Sequence, residues 1–181
     1  AVAIAQLVLW IGYFQWHHRA TGNANTGDCP LLPKPRTILH QDAVLAYTAQ
    51  TPRLDADGHP VTIWDGQTTK THPVTGRPVP DDAARIPVYD YANPARAQWP
   101  DADFIVGNPP FLGAAKLRED LGDGYAETLR SVYPDVPESV DFVMYWWHKA
   151  AELAATGKVR RFGFITTNSL TQTFARRVVQ Q

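Results

Sequence analysis

Two apolar runs in the second half of the chain constrain the fold most: "DFIVG" (103–107) and "RRFGFITTNSL" (160–170). Each is bounded by charge, glycine or polar residues, the pattern of a strand buried on both faces. Between them, "GYAETLRSVY" reads as a short helix and "PESVDFVMYWWHKAAELAATGK" as a long one. The long one carries acidic residues near its start and Gly157 where it should stop. "TQTFARRVVQQ" then begins another helix. Strand, helix, strand, helix predicts an α/β fold with a mostly parallel sheet and helices on both faces. In such sheets ligands bind at the carboxyl ends of the strands. "NPPF" (108–111) and "TTNS" (166–169) are expected there, and so is Asp42, which closes "TILHQD" after a short strand at Thr37–His40.

The first half is organised differently. "AVAIAQLVLWIGYFQW" has no breaker before Gly12 and predicts a helix over residues 1–18. It lacks a basic leader and a cleavage site, and Gln6 interrupts it short of the roughly 20 apolar residues a membrane span needs. The expectation is no membrane, and a helix buried inside a domain. A helix so apolar needs cover on most sides, which predicts that the chain is a section of a longer polypeptide. "TGNANTGDCPLLPKP" (21–35) is a loop by its Gly, Asn and Pro content. Residues 51–87 hold short β-type runs such as "VTIW" between Asp-Gly and Thr-Gly turn signals, so one or two inserted hairpins are expected. The net charge of −1 makes no electrostatic case for nucleic-acid binding. The single Cys29 excludes an internal disulfide framework and fits a reducing, cytoplasmic compartment.

The turn after "DFIVG" has a specific chemical capability. Asn108 precedes proline and is pushed toward extended geometry, while Pro109 and Pro110 have fixed φ and no N–H. The turn therefore presents carbonyl oxygens without competing donors, beside an amide oxygen. Paired rigid acceptors suit a planar –NH2 group, and Phe111 supplies a face on which a flat ring can stack. Accepting both hydrogens of a conjugated amine localises its lone pair and makes it nucleophilic. That is stabilisation placed where charge develops.

"DFIVGNPPF" resembles the Asn-Pro-Pro-aromatic motif of S-adenosylmethionine-dependent amino-methyltransferases, above all the adenine-specific DNA enzymes. With "AVAIAQLVLWIGYFQW", "SVDFVMYWWHKAAELA" and "FGFITTNSLTQ", most of the chain is similar to the large methyltransferases of bacterial restriction-modification and phage-defence systems. The resemblance implies a partial Rossmann-like class I methyltransferase sheet. It implies methyl transfer to the 6-amino group of adenine in double-stranded DNA, with nuclease or specificity parts as possible partners. Asn108 and the Pro109 carbonyl would accept from that amine, Pro110 would brace the turn and Phe111 would stack on the flipped base. Asp42 would bind the adenine of S-adenosylmethionine. An element lining the cofactor pocket would begin near Asp141 and Phe142. The glycine-rich cofactor loop and the target-recognition part are expected outside the chain, so residues 1–181 would be the central part of one catalytic domain, inactive alone.

Two readings from other classes stay open on the sequence. A protein glutamine side chain also offers a planar –NH2, although methyltransferases of that kind usually carry Tyr after the prolines. A non-catalytic DNA-binding or assembly fragment is the third. "GNANTGD" lacks the Gly-Lys-Ser/Thr ending of a phosphate loop, and His17, His18, His40, His59 and His72 have no ligand-like spacing. Trp146 and Trp147 are expected in the core.

Overall fold

The structure is a computed structural model that describes residues 2–22, 38–166 and 178. The chain forms two compact units, Ala1–Asp42 and Ala43–Gln181.

In the first unit, helix α1 runs Val2–Thr21, through Gly12 and slightly past the expected end. Ring contacts one turn apart support it: Trp10 stacks on Phe14 at 5.4 Å and Tyr13 on His17 at 6.0 Å. The expected burial is absent. None of its described residues is buried, and Ile4 is 69% exposed. The physical reason is size, because a unit this small cannot enclose a helix that is apolar on every side. No helix among the described residues is long and apolar enough to cross a membrane. Residues 38–42 contain no strand, which corrects the expectation for Thr37–His40; Thr37 lies outside the described residues. Leu39 is more than half exposed, whereas Val44 and Leu45 reach the core, so the apolar pair that finds cover sets the strand further on. Asp42 thus precedes a strand instead of closing one.

The second unit opens with a long antiparallel arm. Its outward strands are β1 (Leu45–Ala46), β2 (Ala49–Pro52), β3 (Thr62–Trp64) and β4 (Thr69–Thr71). The return strands are β5 (Pro78–Pro80), β6 (Arg85–Pro87), β7 (Tyr89–Ala92) and β8 (Ala95–Arg96). They pair in nested order, β4 with β5, β3 with β6, β2 with β7 and β1 with β8, all antiparallel. The hairpin insertion expected at 51–87 is therefore one folded-back ladder that starts earlier and ends later.

Beyond the arm, β9 (Phe104–Gly107) leads through α2 (Ala114–Leu121), α3 (Asp123–Val132) and α4 (Val143–Ala155) to β10 (Arg161–Phe164). β9 and β10 are parallel, from Arg161 opposite Phe104 to Phe164 opposite Gly107. The strand–helix–strand pattern is present, and Gly157 ends α4 with φ 74°. The extent of the sheet differs from expectation. Among the described residues this is the one parallel pair, and the sheet is not mostly parallel. Nor is β9 buried on both faces: Phe104 is 59% and Val106 84% exposed. Helix α4 covers one face only, where Trp147 packs edge-on to Phe162 at 5.1 Å. The core gathers around Leu117, Leu129, Tyr133, Phe142, Met144 and Tyr145, which α2, α3 and α4 bring together, with Val44 and Leu45 from the arm's base.

Candidate functional site

The segment Asn108–Phe111 begins where β9 ends and carries no regular structure. Asn108, Pro110 and Phe111 are exposed, Phe111 to 45%, and Pro109 between them is buried. This division follows from the sequence. A proline has no N–H to leave unsatisfied, so Pro109 can be buried without losing a hydrogen bond, while its neighbours face outward. The Ile165 N–H donates to the Gly107 carbonyl at 3.0 Å, which ties the end of β10 to the end of β9. Thr166 follows directly and is half-buried, so Asn108 and Thr166 leave the parallel pair at the same end. The rest of "TTNS", 167–169, lies outside the described residues.

Past Phe111 the chain is held from the far side of the crossover. The Phe142 N–H donates to the Leu112 carbonyl at 2.7 Å, and α2 starts after Gly113. Phe142 itself is buried, just ahead of α4. Sequence reasoning pointed to Asp141 and Phe142 but gave them no contact. The bond is between backbone atoms 30 positions apart, and side-chain chemistry carries no sign of it. Trp146 and Trp147 pack against the core as expected, each half-buried.

The expected site residue Asp42 is half-buried and belongs to the first unit. Next to it in sequence, the Ala43 carbonyl accepts from the Trp99 indole N–H at 2.6 Å. The Lys149 ammonium sits 5.1 Å from the Trp99 ring centroid. Burial pulls the Lys149 ammonium below the ordinary lysine range, with Glu152 opposing. On the same helix, burial pushes the Tyr145 hydroxyl above its ordinary value, with Arg130 opposing. The turn has no ionisable side chain, so what it offers a substrate is hydrogen-bond acceptance and an aromatic face.

One cluster elsewhere brings possible cation ligands together. Asp55, Asp57 and His59, all exposed, each place a ligand atom within 4.8 Å of the others. Asp55 Oδ1 already accepts the backbone N–H groups of Asp57 and His59, at 3.0 and 2.9 Å. This is a carboxylate closing a turn.

The family described as "MmeI, DNA-methyltransferase domain" matches residues 1–179. The chain belongs to that family. It is accordingly a DNA-methyltransferase domain of the restriction-modification kind. No curated protein and no solved structure matches the chain.

Proposed function

We propose that this domain transfers a methyl group from S-adenosylmethionine to the 6-amino group of adenine in double-stranded DNA. One observation carries the reading. The turn that follows the parallel strand β9 leaves Asn108 and Phe111 exposed, while buried Pro109 fixes its backbone. The Asn108 side-chain oxygen and the Pro109 carbonyl accept the two amine hydrogens, Pro110 keeps the corner stiff, and Phe111 stacks on the ring. An adenine must leave the duplex to be reached, at a cost of about a few kcal/mol that stacking on Phe111 partly offsets. Pulling both hydrogens toward fixed oxygens localises the nitrogen lone pair, and the same oxygens hold the extra hydrogen until solvent removes it after transfer.

Bound S-adenosylmethionine would supply an electrophilic methyl group, its S–CH3 bond breaking with the electron pair left on a neutral thioether. Asp42, the acidic residue the resemblance assigns to the cofactor, would accept from the exocyclic amine of its adenine ring. A Rossmann-like sheet larger than β9 and β10 belongs to the same proposal. It is supported by the outward face of that pair, where Phe104, Val106 and Ile165 are all more than half exposed. On this reading the chain is the middle of a catalytic domain in a cytoplasmic protein. The DNA-gripping surface, and nuclease or specificity parts, would come from elsewhere in the system.

The test uses the full-length protein, tritiated cofactor and adenine-containing duplex DNA. Wild type labels the DNA, and Asn108→Ala slows labelling on the order of 10²-fold or more, since a fixed transition-state acceptor is lost. Label on protein instead of DNA, or an unimpaired Asn108→Ala enzyme, overturns the reading.

A further inference from the structure

The reacting turn is flexible in neither of its prolines, yet prolines alone do not fix where a turn sits. Upstream, β9 and β10 anchor it through the Ile165–Gly107 hydrogen bond. Downstream, the first carbonyl after Phe111 is that of Leu112, and it accepts the Phe142 N–H at 2.7 Å. Phe142 is well placed to hold that bond still. It is 4% exposed, and its ring meets Trp146 at 4.7 Å, Tyr145 at 6.0 Å and Tyr125 at 6.1 Å, each steeply inclined. Edge-on rings at these separations are attractive, and three from different directions leave the side chain one position. Tyr125 lies on α3 and the other two on α4, so the ring locks the start of α4 to α3.

We propose that Phe142 is a positioning residue for methyl transfer: its locked ring aims its own N–H at the Leu112 carbonyl and so fixes Phe111 and Asn108. The proposal rests on the reading of the turn given above. This role requires no contact of Phe142 with the base. The residue acts through one backbone bond, and its removal should lower the rate of the transfer step at saturating cofactor.

The experiment compares full-length wild type, Asn108→Ala, Phe142→Leu and the double variant. Single-turnover transfer to duplex DNA is normalised to folded protein by circular dichroism, and cofactor affinity is measured alongside. A displacement of about 1 Å in a reacting group costs up to about 10²-fold, so Phe142→Leu should be slower by roughly 10- to 100-fold with cofactor at saturation. Because both residues act through the same turn, the double variant should fall well short of the product of the two single losses. Should Phe142→Leu not fold, Trp146→Leu takes its place, removing the nearest ring while keeping Phe142; a smaller loss with the same non-additivity is expected. If Asn108→Ala is slow but the partner variant turns over at the wild-type rate, or the losses multiply, the positioning role is overturned and the turn chemistry survives. If Asn108→Ala is itself unimpaired, the underlying reading fails.

Discussion

The arm and the crossover share one unit but are held together by different forces. Along β2, β4 and β5 most side chains are exposed, and order comes from ladder bonds, turn carboxylates and ion pairs such as Lys70–Asp82 at 2.7 Å. The helices of the crossover instead bury tyrosines, leucines and a methionine almost completely. Burying one such side chain contributes roughly 1.5–3 kcal/mol, whereas an exposed ion pair contributes roughly 0–1 kcal/mol. The crossover is thus the part able to hold a turn rigidly, and it carries the candidate site. The arm tolerates exposure because hydrogen bonding needs no deep core.

The comparison breaks most readily where the two regions meet. At Gly124 in α3 the helix passes so close to the arm that an added Cβ would lie 1.9 Å from the Tyr89 carbonyl oxygen. Two effects of Gly124→Ala compete. Alanine stabilises a helix by about 1 kcal/mol over glycine, while forced overpacking costs about 1–3 kcal/mol, occasionally more. With rigid backbone on the other side the clash wins. The variant should lose at least about 2 kcal/mol, read as a fall of several degrees in the melting temperature of the full protein. A variant as stable as wild type would show that arm and crossover are not packed at this point.

A smaller loss is expected at the base of the arm. The Tyr133 hydroxyl, fully buried, donates to the Val44 carbonyl at 2.8 Å, and the Ala97 N–H donates to the same oxygen at 3.0 Å. Tyr133→Phe removes one of these donors and leaves no unpaired carbonyl. The cost should be about 1 kcal/mol, near the usual net value of a hydrogen bond. Chemical denaturation should show a lower midpoint at an unchanged slope. A loss of several kcal/mol would mean the arm's base depends on this single bond.

How far each region could be read in advance follows from the same contrast. The β9–helix–β10 order was legible because "DFIVG" and "RRFGF" are apolar runs separated by helical periodicity. That the chain leaves the strand at Asn-Pro-Pro-Phe was legible because proline chemistry is local. The depth of burial was not, since Val106 looks the same in sequence whether or not another element covers it, and here it is 84% exposed. The nested pairing of the arm was illegible too. Asp57-Gly58 and Thr75-Gly76 announce turns, but nothing local says that Gln50 will face Tyr91 across a whole ladder. The strand expected before Asp42 failed for a related reason: the run at 37–40 was apolar enough to look like a strand, but the core recruited Val44 and Leu45.

Between these extremes, Arg53 links the two regions by charge. It donates to Asp90 on β7 at 2.8 Å and to Glu127 on α3 at 3.1 Å, and both carboxylates hold its guanidinium above the ordinary arginine value. Its side chain is 36% exposed, so Arg53→Ala should cost less than about 1 kcal/mol and less again at high salt. Melting curves at low and high ionic strength check this. A large, salt-independent loss would move Arg53 into the class of packed residues.

The smallest effect belongs to the bend between β3 and β4, at Asp65. One carboxylate oxygen accepts the N–H groups of Gln67 and Thr68, at 3.0 and 2.8 Å, and the other accepts the Thr68 hydroxyl. The Trp64 indole N–H closes the same turn on the Thr68 carbonyl at 2.8 Å. These hydrogen bonds, that of the Thr68 hydroxyl foremost, hold the Asp65 carboxyl below the usual aspartate range. A carboxyl depressed in the folded state binds fewer protons there than when unfolded. Its contribution is therefore present above the unfolded pKa and fades as pH falls through the folded one. Acidification should accordingly loosen this turn only well below neutrality. The Trp64 indole N–H resonance should shift as it does, and Asp65→Asn should remove that step. Global melting should hardly respond, because the group is solvent-facing and the core lies in the crossover. If the whole unit melted with this turn, arm and crossover would be one cooperative structure, and the division drawn between them would fail.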